Sequence, residues 1–304
     1  MRKEQLGTVL AIATAVLSGI AIPANKVFVV DIDAAVFTAI RSVIVGAIFL
    51  FLSWRQFDKT RSKDSKFIKS SWKYLATVAV IGGALAFLLF FTGLKLTTAG
   101  RAAFLQKTLP LYTAVLAFVF LKEKMTRKYL LAMLLMVAGI MAIYSTSMNP
   151  AELWANPQLG DLLVISAAFL WAVENVVAKK AMTKGETNFV VSFSRMFFGG
   201  LILFGMVLFT GKISELFALS GQQFLNIGIS VMLLLAYVFF YYWSIRLINV
   251  SKAATILLLA PVVSLVVGMM FLGEPLPLTQ LAGSAFVLAG AYFIVGMRSE
   301  QRGV

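Results

Sequence analysis

Long apolar stretches alternate with short polar ones along the whole chain. A membrane-spanning helix needs roughly 20 consecutive, predominantly apolar residues. Ten stretches meet this requirement, and the connections between them are short, so the sequence predicts an all-α integral membrane protein with ten transmembrane helices and no sizeable soluble domain. The predicted spans are 6–28, 35–54, 73–94, 99–121, 129–147, 160–179, 189–210, 224–246, 252–272 and 278–297.

Composition supports a chain that lives in lipid. Hydrophobic residues make up 60% of the 304 residues and charged residues only 13%, whereas a soluble domain carries about 25% charged residues. The first apolar run is longer than the roughly 7–15 residues of a secretory signal core, so we expect it to be the first span. The chain has no cysteine and no histidine, which excludes disulfides, thiolate chemistry and the usual zinc sites. We therefore expect no metal, no cofactor and no enzyme activity.

The basic residues are placed asymmetrically along the chain. The formal net charge is +14, and most of the 27 Lys and Arg residues lie in the termini or in the loops that follow even-numbered spans. Loops rich in Lys and Arg lie on the cytoplasmic side of membrane proteins, so we expect both termini in the cytoplasm and the protein in the plasma membrane. The charge is thus explained by orientation, and we expect no nucleic-acid partner.

The two halves of the chain repeat each other. The segments FFTGLKLTTAGRAAFLQKTLPLYTAV and YYWSIRLINVSKAATILLLAPVVSLV align at a constant separation of 151 residues. Each unit holds five spans, and because five is odd the second unit must enter the membrane from the opposite side. Inverted repeats of this kind form alternating-access transporters with a substrate site between the halves. We expect repeats at 1–148 and 149–304 around a central cavity. The matched pairs include Lys95 and Arg246, Arg101 and Lys252, Pro110 and Pro261, Glu123 and Glu274, and Gly139 and Gly290.

Local motifs within the repeats resemble a known family. Each repeat has an Ala-x(6)-Pro spacing followed by a short helix that ends in LKE or LGE, and residues 171–180 contain a WA…N…KK pattern. Together with the ten spans, these features resemble the drug/metabolite transporter superfamily in its EamA-like exporter branch. The resemblance implies secondary transport of small metabolites, often amino acids and usually outward. One departure is the pair Ser18-Gly19, where that family usually has Trp-Gly in the first span.

Two charges inside spans break the repeat symmetry. An ionisable side chain at membrane depth is costly and usually functional. Lys107 and Glu174 occupy positions whose repeat-related residues are apolar. Arg41 and Arg195 match each other and are interpreted as architectural, with side chains that reach water or helix-end carbonyls. Attraction of an anion is the less favoured alternative for both. At ~1.5 Å per residue, Lys107 lies about 12 Å and Glu174 about 20 Å from the outer face. They are expected either to pair with each other or to bind substrate, with Lys107 on a carboxylate or phosphate and Glu174 on an amine, a cation or a proton.

Proline positions predict where helices open at membrane depth. Pro110 removes a helical hydrogen bond from the carbonyl of residue 106, and Pro261 and Pro23 act likewise in their spans. Broken helices are tolerated in a membrane where their backbone lines a cavity, so we expect these three breaks to surround the substrate site. The other candidate substrate-binding residues, each with helix–helix contact as the alternative, are Gln106, Tyr112, Trp171, Asn175 and Asn25.

Some polar and aromatic positions are interpreted as structural. The run YVFFYYW at 237–243 is expected to form an interfacial aromatic belt, with an aromatic substrate box as the less favoured interpretation. Lys26 and Lys179 lie near span ends and are expected to be interfacial.

Three functions are compatible with this sequence. The first is a secondary transporter, an exporter of a small metabolite such as an amino acid, that works by alternating access within one chain. The second is a proton-coupled exporter of cationic lipophilic drugs, in which Glu174 carries drug and proton in turn. The third is a lipid-handling membrane scaffold. In the first two, the partners are a small-molecule substrate, the bilayer and protons as the candidate coupling ion.

Overall fold

Ten membrane-length spans are present in the described part of the chain, as the sequence predicts. A computed structural model describes residues 3–28, 32–59 and 66–299. We number the spans in chain order. They are Lys3–Asn25, Ala34–Arg55, Ser71–Lys95, Ala99–Phe120, Arg127–Tyr144, Leu159–Thr183, Asn188–Phe209, Gly221–Leu247, Val250–Phe271 and Leu278–Gly296. Two short helices in the connections, Pro150–Ala155 and Ile213–Phe217, are not predicted by the sequence.

Spans 4 and 9, which are related by the repeat, are both broken before their prolines. Span 4 consists of helices Ala99–Gln106 and Leu109–Phe120. Span 9 consists of helix Val250–Ile256, a 3-10 turn and helix Ala260–Leu272. In each case the proline lies in the first turn of the second helix, where its missing N–H is tolerated. The helices are thus interrupted just before Pro110 and Pro261, whereas Pro23 lies inside a helix that continues from Lys3 to Phe28.

Spans 3 and 7 each contain a π-helical segment, Val78–Leu85 and Ser194–Phe198, and these segments pack against each other. Glycines allow the close approach, because a Cβ on Gly83 would collide with the carbonyl of Arg195. A π segment adds a residue to a turn and is frequent at functional sites. The contact brings the middle of span 7 against span 3 at the depth where the charged residues lie.

Spans 5 and 10 pack along their whole length and display the repeat directly. A Cβ on Gly139 would lie 2.5 Å from the carbonyl oxygen of Gly283, and one on Gly290 would lie 2.4 Å from the side chain of Met136. Small residues at such crossings let membrane helices approach closely. Gly139 and Gly290 are repeat-related, and each lies in the contact made by the other's span.

Buried ion pairs join the two repeats at both ends of the molecule. Arg101, at the start of span 4, binds Asp161 of span 6, and both are about 5% exposed. Its repeat-related residue Lys252, at the start of span 9, lies 2.9 Å from Glu4 of span 1. A buried charge needs a partner of opposite sign. The repeats are thus fixed to each other by equivalent contacts on opposite faces.

A third ion pair lies outside the spans, on the face opposite the termini. Asp33, before span 2, binds Lys212, after span 7. Burial raises the pKa of Asp33, but the hydrogen bond from Lys212 and those from two backbone N–H groups lower it by more. The net pKa therefore lies below the ordinary value of 3.8.

The end of the molecule that carries the termini is closed by buried polar contacts. Lys179 donates to the carbonyls of Ile245 at 2.6 Å and Ile248 at 2.9 Å, where a helix C-terminus leaves acceptors unpaired. The interfacial interpretation of Lys179 is therefore wrong, because these carbonyls hold the ammonium in the protein interior. The side chain of Lys26 lies outside the described residues.

Candidate functional site

A cavity of about 290 Å³ lies between the two repeats, next to the break in span 4. Pockets for small molecules measure about 300–1,000 Å³, so the cavity suits a ligand at the small end of that range. Spans 1, 2, 3, 4, 6, 7, 8 and 9 contribute side chains to its lining. A central cavity between inverted repeats is what the sequence predicts.

Lys107 lies in the break of span 4 itself. The helix ends at Gln106, and the backbone N–H of Lys107 donates to the carbonyl of Phe104 at 2.9 Å, so the chain turns before the next helix begins. Lys107, Gln106 and Pro110 all line the cavity. The proline that breaks the helix therefore also places the lysine at the cavity wall.

Glu174 of span 6 forms the centre of a buried cluster that borders the cavity. The Tyr242 hydroxyl donates to its Oε1, and Nε of Arg195 lies 3.8 Å from its Oε2. Both Glu174 and Tyr242 are fully buried. A Cβ on Gly82 would collide with the Glu174 side chain, so the glycine of the π segment makes room for the carboxylate.

The expected pairing of Glu174 with Lys107 is wrong. Glu174 forms its ion pair with Arg195, because the π segment of span 7 brings that arginine to the same depth. The architectural interpretation of Arg195 also missed that its side chain lines the cavity. Within the described chain, Oε2 of Glu174 and Nε of Arg195 form no hydrogen bond.

Arg41 enters the cavity from span 2. Its Nη1 donates to Oγ of Ser230 at 2.8 Å and to Oδ1 of Asn25 at 3.4 Å, and its guanidinium lies 4.2 Å from the ring centroid of Phe37. Ser230 in turn donates to Oδ1 of Asn25. Arg41 thus joins spans 1, 2 and 8, which is a different set of partners from the water or helix-end carbonyls expected for it.

Aromatic rings form the remaining walls. Trp171 contacts Phe87 and Phe90, with ring centroids 5.2 and 5.5 Å apart, and its Nε1 donates to the carbonyl of Gly82 at 3.1 Å. Tyr237 and Tyr241 line the cavity from span 8. The belt interpretation of 237–243 is therefore wrong for this face of the helix, because the tyrosines turn into the protein.

Most of the predicted binding residues line one cavity. Tyr112 is the exception, because it is not part of the lining. Its ring packs against Phe169 instead, with the two ring centroids 6.0 Å apart. The sequence analysis favoured structural roles for Arg41, Arg195 and the tyrosines of span 8, with anion attraction and an aromatic substrate box as the less favoured alternatives. The predicted residues that line the cavity are Lys107, Glu174, Trp171, Gln106, Asn175 and Asn25.

Along span 1 the cavity lies in the half of the helix away from the N-terminus. The residues of the half near the N-terminus that are buried are Leu10, Ala11, Thr14 and Ala15. The residues that line the cavity are Ser18, Ala21, Ile22 and Asn25. Packed side chains of this span therefore lie between the cavity and the face of the termini.

The repeat is also visible in a comparison with known families. The model of the EamA-like transporter family matches residues 5–145 and again residues 158–296. The chain belongs to the EamA-like transporter family. It is therefore a multi-pass membrane transporter rather than an enzyme, and its ten spans form the two repeats of that family.

Curated relatives of this EamA-like transporter are transporters as well. A protein of Salmonella typhimurium named "Probable amino-acid metabolite efflux pump" is 30% identical over 207 residues, which cover 65% of this chain and 67% of the relative. "Uncharacterized transporter YyaM" of Bacillus subtilis is 26% identical over 244 residues, covering 77% of this chain and 76% of the relative.

A solved crystal structure has the same fold. It superposes on this EamA-like transporter with a TM-score of 0.73 and 15% sequence identity, covering 95% of this chain and 98% of the other. At this identity the likeness supports the fold alone.

Proposed function

We propose that this transporter exports a small zwitterionic or anionic metabolite, such as an amino acid, by alternating access. The observation that carries the proposal is the charge of the cavity lining, where three cations face one carboxylate. A ligand that enters such a site needs at least one anionic group to balance its surroundings. The "Probable amino-acid metabolite efflux pump" of Salmonella typhimurium supports the same class of substrate.

Lys107 is the proposed contact of the substrate carboxylate. It lies at a helix break on the cavity wall, and no described residue is paired with its ammonium. Arg41 adds positive charge to the lining from span 2. The substrate amine is proposed to approach Oε2 of Glu174, which lies 3.8 Å from Arg195 and accepts no hydrogen bond from the described chain.

The other predicted residues complete this site. Trp171 forms an aromatic wall for the apolar part of the substrate, and Gln106 and Asn175 are proposed to hydrogen-bond its polar groups. Asn25 has a positioning role, since its Oδ1 accepts hydrogen bonds from Arg41 and Ser230.

Alternating access is supported by a difference between repeat-related positions. On the face of the termini, buried Glu123 accepts hydrogen bonds from the backbone N–H groups of Val250 at 2.8 Å and Ser251 at 3.1 Å, at the start of span 9. On the other face, the repeat-related Glu274 is exposed. We propose that transport exchanges these two environments. Glu274 then becomes buried and closes the outer end of the cavity, while Glu123 becomes exposed and the inner end opens.

The proposed orientation places both termini in the cytoplasm of a cell with this protein in its plasma membrane, as the basic loops favour. In that orientation the cavity faces outward. One chain lines the cavity from both repeats, so a monomer is proposed to suffice for transport. Among the described residues, Glu174 is the sole carboxylate in the lining, and it is the proposed carrier if protons drive export.

The test is exchange of radiolabelled amino acids in proteoliposomes. Lys107→Gln is compared with Lys95→Gln, because Lys95 is an exposed lysine at the end of span 3. A hydrogen bond to a charged group contributes about 1.5–3 kcal/mol, so Lys107→Gln is expected to raise the half-saturating concentration about 10- to 150-fold and Lys95→Gln to leave it unchanged. Equal transport by both variants would refute the assignment of Lys107.

The same preparation separates the alternatives. A lipophilic cation that is transported in exchange for protons, with loss of transport in Glu174→Gln and not in Lys107→Gln, would favour the drug exporter. A protein that binds lipid but moves no soluble solute would favour the lipid-handling scaffold.

A further inference from the structure

A second cavity, of about 410 Å³, lies on the face of the termini. It is formed by the start of span 5, the start of span 9 and the residues that follow span 10. Span 5 belongs to the first repeat, and spans 9 and 10 belong to the second. Within the described chain the cavity is separate from the central one, because the two share no lining residue.

The lining of this second cavity is strongly cationic. Its five basic residues are Lys124, Arg127, Lys128, Lys252 and Arg298. Arg127, Lys128 and Arg298 are exposed, and no ion pair joins them to another described residue. Of the nearby carboxylates, Glu4 pairs with Lys252 of the lining, and Glu123 accepts from the backbone of span 9. Neither is paired with Arg127, Lys128 or Arg298, so these three cations give the cavity a net positive charge.

An apolar groove begins where the cationic cavity ends. It measures about 540 Å³, and its last lining residue, Gly296, precedes Met297 of the cationic cavity. Leu259 in the groove follows Lys252 by seven residues, which places it about 10 Å deeper in the membrane. The groove is lined by Leu259, Leu288, Ala291, Tyr292, Phe293, Val295 and Gly296.

We propose that the cationic cavity and the apolar groove together bind one anionic phospholipid. Its phosphate contacts Arg127, Lys128 and Arg298, and an acyl chain lies in the groove. Basic pockets between spans on the cytoplasmic side are suited to such headgroups. Because the bound lipid touches span 5 and spans 9 and 10, it bridges the two repeats at their closed end.

The repeat shows that the fold does not require this charge. At the twofold-related positions on the other face, the counterparts of Lys124, Arg127, Lys128 and Arg298 are Pro275, Leu278, Thr279 and Ser147. Membrane orientation accounts for basic residues on this face. It does not account for their convergence on a cavity that continues into an apolar groove.

The test measures lipid binding to the full-length protein in detergent by native mass spectrometry. The probes are phosphatidylglycerol, phosphatidylcholine and inorganic phosphate. The variant R127Q/K128Q/R298Q is compared with K3Q/R55Q/K73Q, which removes three exposed cations of the same face that lie outside the cavity. Each cation near an anionic lipid contributes roughly fivefold, so the cavity variant is expected to bind phosphatidylglycerol about 100-fold more weakly, with little change in the control.

A second variant tests the groove. A Cβ on Gly296 would meet no atom within 4 Å, and the same holds for Gly205 in span 7. Gly296→Phe is expected to fill the groove and reduce phosphatidylglycerol binding, and Gly205→Phe is expected to leave it unchanged.

Four results would overturn the proposal. The first three are equal binding of phosphatidylglycerol and phosphatidylcholine by the wild type, equal loss in the cavity variant and its control, and unchanged binding by Gly296→Phe. The fourth is inorganic phosphate that binds the cavity and displaces no lipid, because the site would then take a free phosphate.

Discussion

The hydroxyl of Tyr242 is expected to stabilise the protein through a single hydrogen bond. It donates to Oε1 of Glu174, and both residues are fully buried. The neighbouring Tyr241 is also buried, but its hydroxyl has no hydrogen-bond partner within the described chain. Tyr242→Phe and Tyr241→Phe therefore each remove a hydroxyl oxygen from adjacent buried positions. Only Tyr242→Phe also removes a hydrogen bond.

The expected difference follows from the charge of the acceptor. A hydrogen bond to a charged group contributes about 1.5–3 kcal/mol, and a buried hydroxyl without a partner contributes nothing favourable. Long chains shift in Tm by about 2 °C per kcal/mol. Tyr242→Phe should therefore lower the Tm by about 3–6 °C, and Tyr241→Phe should leave it unchanged or raise it slightly.

The assay is thermal unfolding of the two variants and the wild type in one detergent at one scan rate, because membrane proteins often unfold irreversibly. The double variant should show no more loss than Tyr242→Phe alone. Equal decreases in Tm for both single variants would mean that the Tyr242 hydrogen bond to Glu174 is not the stabilising contact.

Other contacts give further predictions. Arg101→Gln leaves Asp161 buried without its cation, which should cost about 3–5 kcal/mol of unfolding free energy in a denaturant titration. Gly139→Ala should lower the Tm because its Cβ would meet a carbonyl of span 10. Gly205→Ala, whose Cβ would meet no atom, should raise the Tm because helix propensity favours Ala over Gly by about 1 kcal/mol. Asp33 has a pKa below 3.8 in the folded protein, so its stabilisation is present above that pH and lost as the pH falls through the folded pKa. At pH 7 the ion pair should contribute only about 0.2–1 kcal/mol, so the Tm of Asp33→Asn should lie slightly below that of the wild type, and this difference should vanish at lower pH.

Each of these predictions can be contradicted by one result. The first would be contradicted if Arg101→Gln had the same denaturation midpoint as the wild type, and the second if the two glycine variants changed the Tm equally. The third would be contradicted if the difference in Tm between Asp33→Asn and the wild type persisted or grew in acid.

The spans and the repeat could be predicted from the sequence because both depend on regular patterns. Apolar length sets each span, and a five-helix unit repeated once must invert. Pro110 and Pro261 mark their breaks because proline cannot donate within a helix. Pro23 does not mark a break, because the helix around it continues to Phe28. The sequence alone does not tell which prolines can be accommodated within a continuous helix by packing against neighbouring spans.

The partner of Glu174 was missed although a signal for it existed. Glu174 lies about 20 Å from the face opposite the termini, which leaves about 10 Å to the face of the termini in a core roughly 30 Å thick. Arg195 is seven residues into a span that starts at the face of the termini, also about 10 Å deep. Depth alone therefore pairs these two residues, but the repeat match with Arg41 favoured an architectural interpretation. The π segment that turns Arg195 inward leaves no clear pattern in the sequence.

The central claim is that the charged cavity is the substrate pathway and opens to the face opposite the termini. The chain has no cysteine, so a single introduced cysteine can be labelled by itself. Ser18 lines the cavity, and Ala11 lies in the packed half of the same span. In intact cells, a membrane-impermeant maleimide should label Ser18→Cys and not Ala11→Cys, and a transported amino acid should slow the labelling of Ser18→Cys. Labelling of Ser18→Cys only from the cytoplasmic side, or at a rate that no amino acid changes, would contradict the account.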